Sequence, residues 1–325
     1  MNDTENPWCS RPPPLAIDII KGLDMLWIVL YAGLTLMALL SVLLYLEECV
    51  YFFQKLPYPK KTAIIWVNGA APVIATMSCL AMWIPKATMF TDLTSNSYFA
   101  IVVYQFLVMM IEECGGDKAF LQRYSQNQLR ISTGPCCCCC PCLPHVGISR
   151  RTLFILKLGS YQFALLKTIL SILSIVLSAN ENFDPWNTNI TGASIWIGPF
   201  TGILTIVALW PVSIIFIHLR DTLRDLKIVP KYAMYQMVLI LTQLQTAIIN
   251  ILAMYRVIPC SPPFSSQYRG YLMNQQLLIA EMFLITLVTR LLYRREYRPL
   301  PTAPHPEENG EASIILQTEL RDMTA

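Results

Sequence analysis

The chain has 325 residues, 54% of them hydrophobic and only 14% charged, with a mean hydropathy of +0.47 and a formal net charge of +3. Soluble domains carry about 25% charged residues, so this composition excludes an ordinary water-soluble globule and points to a membrane protein. The small positive charge, with no long basic run, argues against nucleic acid as a partner.

Residues 1–24 form a polar, proline-rich tail with Pro12-Pro13-Pro14, one cysteine (Cys9) and a sequon at Asn2-Asp3-Thr4. They lack the layout of a cleavable signal, so the first apolar span is expected to stay. Apolar stretches follow at about Met25–Leu46, Thr62–Pro85, Ser97–Ile111, Leu153–Ser178, Ala193–Ile217, Tyr232–Tyr255 and Leu272–Tyr293. Most approach the ~20 residues that cross a ~30 Å hydrocarbon layer as a helix. The third is short and needs residues 93–96 to cross. Lipid cannot satisfy open backbone groups, so the spans must be helices. The expected fold is an all-α seven-transmembrane helix bundle over residues 25–297. The tail from 298 to 325, rich in Pro and Glu, is expected to be disordered. Pro72, Pro199 and Pro211 are expected to break or kink their helices.

Lysine and arginine set the orientation. Residues 54–61, 114–152, 218–231 and 290–325 share one side and hold 17 of the 24 basic residues, against 5 opposite. This puts the N-terminus outside and the C-terminus in the cytosol. The sequons at Asn2 and Asn189 then fall outside, as glycosylation requires. Only Cys9 and Cys260 face the oxidising side, so they are the one candidate disulfide, two free thiols being the alternative.

The loop 114–152 is the longest polar connection and carries Cys136, Cys137, Cys138, Cys139, Cys140 and Cys142. Adjacent cysteines cannot all pair with one another. Their spacing is not that of a zinc site, and His145 stands alone. Beside a membrane they suit acylation, worth ~0.8 kcal/mol per buried CH2. A tolerated tract is the alternative.

Ionisable groups inside a span usually face a bundle interior or a cavity. At 100° per residue, Lys157, Ser160, Tyr161, Ala164, Lys167, Thr168 and Ser171 share one face of the fourth span. Lys157 is near enough to the headgroups to snorkel; Lys167 lies deeper. The sixth span repeats polarity at Gln236, Gln243 and Asn250, and the seventh carries Glu281. Candidate solute-path residues are therefore Lys157, Tyr161, Lys167, Gln236, Gln243, Asn250 and Glu281, with helix packing or ion pairing as the alternative for each. Glu47, Glu48, Glu112 and Glu113 read as structural, or as partners for Lys157 and Arg290. His145, His218 and His305 are far apart, and no hydrolase, metalloprotease or nucleotide motif occurs. No catalytic residue, metal site or cofactor is expected.

Seven spans suggest a G-protein-coupled receptor. Yet the third span lacks the outer cysteine, ends in Glu112-Glu113-Cys114 where Asp-Arg-Tyr would stand, and the seventh has no Asn-Pro-x-x-Tyr. The residues instead resemble the alpha subunit family of the organic solute transporter over nearly the whole chain. The likeness rests on Tyr45-Leu46-Glu47-Glu48-Cys49-Val50-Tyr51, Trp83-Ile84-Pro85, Thr133-Gly134-Pro135 before the cysteine run, Tyr161-Gln162-Phe163-Ala164, Pro259-Cys260-Ser261-Pro262-Pro263, and Thr289-Arg290-Leu291-Leu292-Tyr293-Arg294-Arg295. Departures are a short N-terminal tail and Glu47-Glu48 in place of Glu-Asp. The resemblance implies a single-pass beta subunit as partner and facilitated diffusion of bile acids, conjugated steroids and similar amphipathic organic anions. It also implies the basolateral plasma membrane of epithelia, with assembly in the endoplasmic reticulum, and lipidation of the cysteine run. A higher oligomer is compatible with it. A seven-span scaffold or trafficking protein that moves no solute is the alternative class.

Overall fold

A computed structural model describes residues 16–17, 24–56, 58, 60–131, 145–179, 194–260 and 265–294. Cys9, Asn2, Asn189, the cysteine run and the tail from 298 lie outside the described residues. Among the described residues, seven helices are long and apolar enough to cross a membrane: Met25–Lys55, Lys60–Trp83, Pro85–Glu113, Arg150–Ser178, Trp196–Leu219, Ile228–Met254 and Ser266–Tyr293.

The third span packs against the second, fourth and fifth, and the seventh packs against the first, second and sixth. Spans four and six bury the least of themselves. Large apolar side chains such as Leu43, Phe154 and Ile203 point outward, as a lipid-facing surface requires. The core is aromatic where spans three, five and six meet. Phe106 stacks on Tyr235 with ring centroids 4.5 Å apart, and Phe216 stacks on Tyr232 at 3.8 Å.

Three spans differ from the hydropathy reading. The third begins well before Ser97: a 3-10 turn at Pro85–Ala87 leads into a helix from Thr88 to Glu113. Its polar start looks like a loop in sequence, yet its groups are satisfied locally. Thr91 and Thr94 donate to the carbonyls of Thr88 and Phe90, both at 2.9 Å, and Asp92 accepts from the Tyr271 hydroxyl at 3.1 Å. The seventh starts at Ser266, six residues early, because the Ser265 hydroxyl caps it by accepting from Tyr268 N–H. The sixth contains a π-helical stretch, Ile240–Gln245.

The second span is two helices, Lys60–Asn68 and Ala70–Trp83, with a turn at Gly69. Pro72 has no N–H for the Asn68 carbonyl and its ring crowds that group, which opens the helix there. The hydroxyls of Tyr45 and Tyr98 fill the gap, donating to the carbonyls of Ile65 and Trp66 at 3.2 and 3.1 Å. A Cβ at Gly69 would collide with the Tyr98 hydroxyl and lie 2.8 Å from that of Tyr45. Gly69→Ala should therefore cost about 2 kcal/mol, seen as a lower unfolding temperature in detergent. Tyr98→Phe in the same background should recover part of the loss. Pro199 and Pro211 do not break their helix, which runs continuously from Ser194 to Leu219.

The polar connection after the third span also holds structure that hydropathy does not reveal. A short helix, Gly116–Tyr124, is followed by an antiparallel hairpin in which β1 (Gln128–Arg130) pairs with β2 (His145–Gly147). The cysteine run lies between these two strands in sequence. The hairpin marks one end of the bundle, the hairpin end.

Candidate solute path

Charged residues at the hairpin end pair with one another. Lys157 contacts both carboxylate oxygens of Asp117 at 2.6 and 2.7 Å. Arg290 and Arg294 both reach Glu47, at 2.7 and 3.0 Å. Lys60 pairs with Glu113, whose side chain is almost wholly buried. Lys157 thus leaves the candidate path, and its partner is Asp117 rather than a span-end glutamate. Asp117 stands in the first turn of its short helix, where a carboxylate is favoured by the helix dipole. The Gly115-Gly116-Asp117 run was the sequence signal for that turn.

The polar stripe of the fourth span divides on folding. Tyr161 faces outward, its ring edge-on to Tyr104 at 5.4 Å. Ser160, Ala164 and Lys167 face inward and are buried. The Ser160 hydroxyl donates to the Ala208 carbonyl at 3.1 Å, and a Cβ on Gly159 would come 3.2 Å from Pro211. These two contacts fix an antiparallel register between spans four and five. Lys167, two turns beyond Ser160 on the same face, falls level with residues near Thr201. There span five offers Gly198 and Gly202, where an added Cβ would meet nothing within 4 Å. Lys167 is 9% exposed and makes no hydrogen bond or ion pair with the described residues. It lies mid-span, too deep to reach either headgroup layer easily.

The heptad of the sixth span does not survive. Gln236 donates to its own helix neighbour Tyr232 at 2.7 Å, and Tyr232 in turn meets Ser213 at 3.2 Å. Gln243 reaches Asn96 on the third span at 3.5 Å. The π-helical stretch begins after Gln236 and contains Gln243, and its wider turns shift the phase of all that follows. Asn250 consequently points outward, off the face of the other two. Gln236 and Gln243 each spend an amide N–H on a neighbour within the bundle.

Glu281 is half-buried on the seventh span and faces Gln245 of the sixth, with its Oε2 and the Gln245 Nε2 both buried. A carboxylate here does not suit an anion's head group. Cys260 is disulfide-bonded, and its partner lies outside the described residues. Among the described cysteines, Cys49, Cys79 and Cys114 are free. Burial pushes the Cys114 thiol up to about 12, so it is a poor nucleophile.

An apolar groove of ≈400 Å³ opens beside the hairpin, between spans four and five. Ile131, Val146, Ile155, Leu156, Trp210 and Pro211 are among its walls. The Trp210 indole N–H donates to the Ile131 carbonyl at 2.9 Å and ties the hairpin to span five. Among the described residues, no group of His, Cys, Asp or Glu could hold a metal ion.

Residues 30–300 match the family model described as "Organic solute transporter Ostalpha". A relative from Danio rerio, "Organic solute transporter subunit alpha", is 64% identical over 97% of this chain and 95% of its own length. Relatives of the same description from Leucoraja erinaceus and Homo sapiens are 42% and 36% identical, covering 90% and 89% of this chain and 83% and 85% of theirs. No solved structure matches the fold.

Proposed function

This chain belongs to the organic solute transporter alpha family, and from that premise we propose that it is the alpha half of a facilitative transporter for amphipathic organic anions such as bile acids and conjugated steroids. It is a multi-pass membrane protein of a transporter family, not an enzyme. The name of its relatives, subunit alpha, implies a second subunit. We take that to be a single-pass beta subunit and the working site to be the basolateral plasma membrane, N-terminus outside.

The observation that carries the reading is Lys167, a buried cation in mid-span with no partner among the described residues. An unpaired charge at that depth costs several kcal/mol and persists only where something offsets it. A sulfate or carboxylate head group would do so. The steroid rings could stay against lipid and the open flank of span five at Gly198 and Gly202. Only the head group then needs shelter, so no aqueous pore is required.

The cysteine run is proposed as a lipidation site. The groove beside the hairpin is apolar and lies next to the strands from which the run departs. With all six cysteines replaced by serine, acyl-exchange labelling should lose its signal, and the chain should be retained more in internal membranes. Labelling equal to the wild type would remove lipidation from the account. Cys9 is proposed as the partner of Cys260, and Asn2 and Asn189 as glycosylation sites.

The test of function is uptake of a radiolabelled sulfated steroid in cells that express the chain with and without a beta-type partner. Uptake only in the pair, independent of ATP and of sodium, is expected. Surface delivery of the pair without any flux would favour a scaffold.

A further inference from the structure

The layer of the bundle that holds Lys167 contains a second unused polar group, the hydroxyl of Thr201. Spans four and five are antiparallel, and two contacts, Ser160 with Ala208 and Gly159 with Pro211, set their register. Thr201, Leu204, Ala208 and Pro211 follow one another at steps of three, four and three residues, so they share one face of span five. Ser160, Ala164 and Lys167 share a face of span four in the same way. Ser160 meets Ala208, and two turns further along Lys167 falls opposite Thr201. Between these two levels Ala164 and Leu204 are both buried.

Thr201 is unlike most threonines of the spans. Thr35, Thr76, Thr168, Thr205 and Thr242 each donate to the carbonyl four residues earlier, at 2.7 or 2.8 Å. That bond satisfies a hydroxyl where lipid offers no partner. Thr201 lies within the same continuous helix as Thr205, with the Ile197 carbonyl in the matching place. Yet its hydroxyl makes no hydrogen bond with the described residues, although its own carbonyl accepts from Thr205. The Lys167 ammonium, on the facing helix, is equally unspent. Thr201 is half-buried, and the glycines on either side of it, Gly198 and Gly202, leave open space toward lipid. Two donors on facing walls, neither used by the other nor by the chain, call for an acceptor from outside.

We propose that Thr201 is the second donor to the solute's head group and thereby sets specificity. The inference rests on the reading of Lys167 given above and extends it. An ammonium alone would hold any small negative charge. An ammonium and a hydroxyl on opposite walls select a head group with at least two acceptor oxygens, as a sulfate, a sulfonate or a carboxylate has. The open space at Gly198 and Gly202 lets the steroid body lie along span five while its head group reaches both donors.

The test expresses the full chain with a beta-type partner and measures uptake of a radiolabelled steroid sulfate against its concentration. Thr201→Val keeps the shape of the side chain and removes the hydroxyl. It should raise the half-saturating concentration about tenfold and leave the maximal rate nearly unchanged, as the loss of one hydrogen bond to a charged group does. Thr201→Ser should behave as the wild type. The unfolding temperature of Thr201→Val in detergent should be no lower than that of the wild type, since the hydroxyl holds no part of the chain. If Thr201→Val does not reach the surface, Thr201→Ala takes its place. An unchanged half-saturating concentration, with flux lost in Lys167→Met, overturns the role of Thr201 and leaves the head-group site at Lys167 standing. Unchanged uptake in both variants overturns that site as well. A rise that Thr201→Ser shares would trace to the lost methyl group and also overturn the proposal.

Discussion

Replacing Lys167 with methionine should lower the flux of a sulfated steroid about thirtyfold while the protein still reaches the surface. Removing one member of a buried, hydrogen-bonded charge pair costs at least about 2 kcal/mol, and 1.4 kcal/mol is a factor of ten. Methionine keeps the length and apolar stem of lysine and removes the charge. The same change should raise the unfolding temperature without solute, because a buried cation that lacks a partner is relieved. Opposite signs on transport and stability separate a solute contact from a structural one. A lysine held in an ion pair would lose stability on the same replacement. Lys167→Arg should retain most of the flux. Lys157→Met should leave it nearly unchanged, since Lys157 is occupied by Asp117.

Lys60→Met should lower the unfolding temperature by about 10 °C. Lys60 is the ion-pair partner of Glu113, whose side chain is 1% exposed. Removing the lysine leaves a buried carboxylate without its counter-charge, which costs about 3–5 kcal/mol, and 1 kcal/mol moves a domain of this size by about 2–4 °C. The double variant Lys60→Met, Glu113→Leu should regain most of the loss, because neither charge is then stranded. Thermal unfolding of the three variants in one detergent reads this directly. A single variant as stable as the wild type would show that the pair does not hold the hairpin end together.

The seven crossings were legible because lipid permits helices of one length, and hydropathy reports that length. The limits were less so. Thr88–Asp92 looked like a loop because its polar groups are satisfied by neighbours in the helix and by Tyr271, a partner 179 residues away. Pro72 announced the break in the second span. Pro211 looked the same in sequence, yet it packs near Gly159 inside an unbroken helix. Periodicity picked out Lys167 but could not separate it from Lys157, whose fate depends on an aspartate in the next loop. The heptad Gln236, Gln243, Asn250 misled because a π-helical stretch, which no residue type announces, rotates its last member outward.

The account is tested most directly by flux across a sealed bilayer. The chain and its beta-type partner are reconstituted into liposomes, and a radiolabelled steroid sulfate is followed in both directions with no ATP and no ion gradient. Flux should run either way down the concentration gradient, stop at equal concentrations, and fall about thirtyfold with Lys167→Met. Accumulation beyond equality, or full flux in that variant, would contradict it.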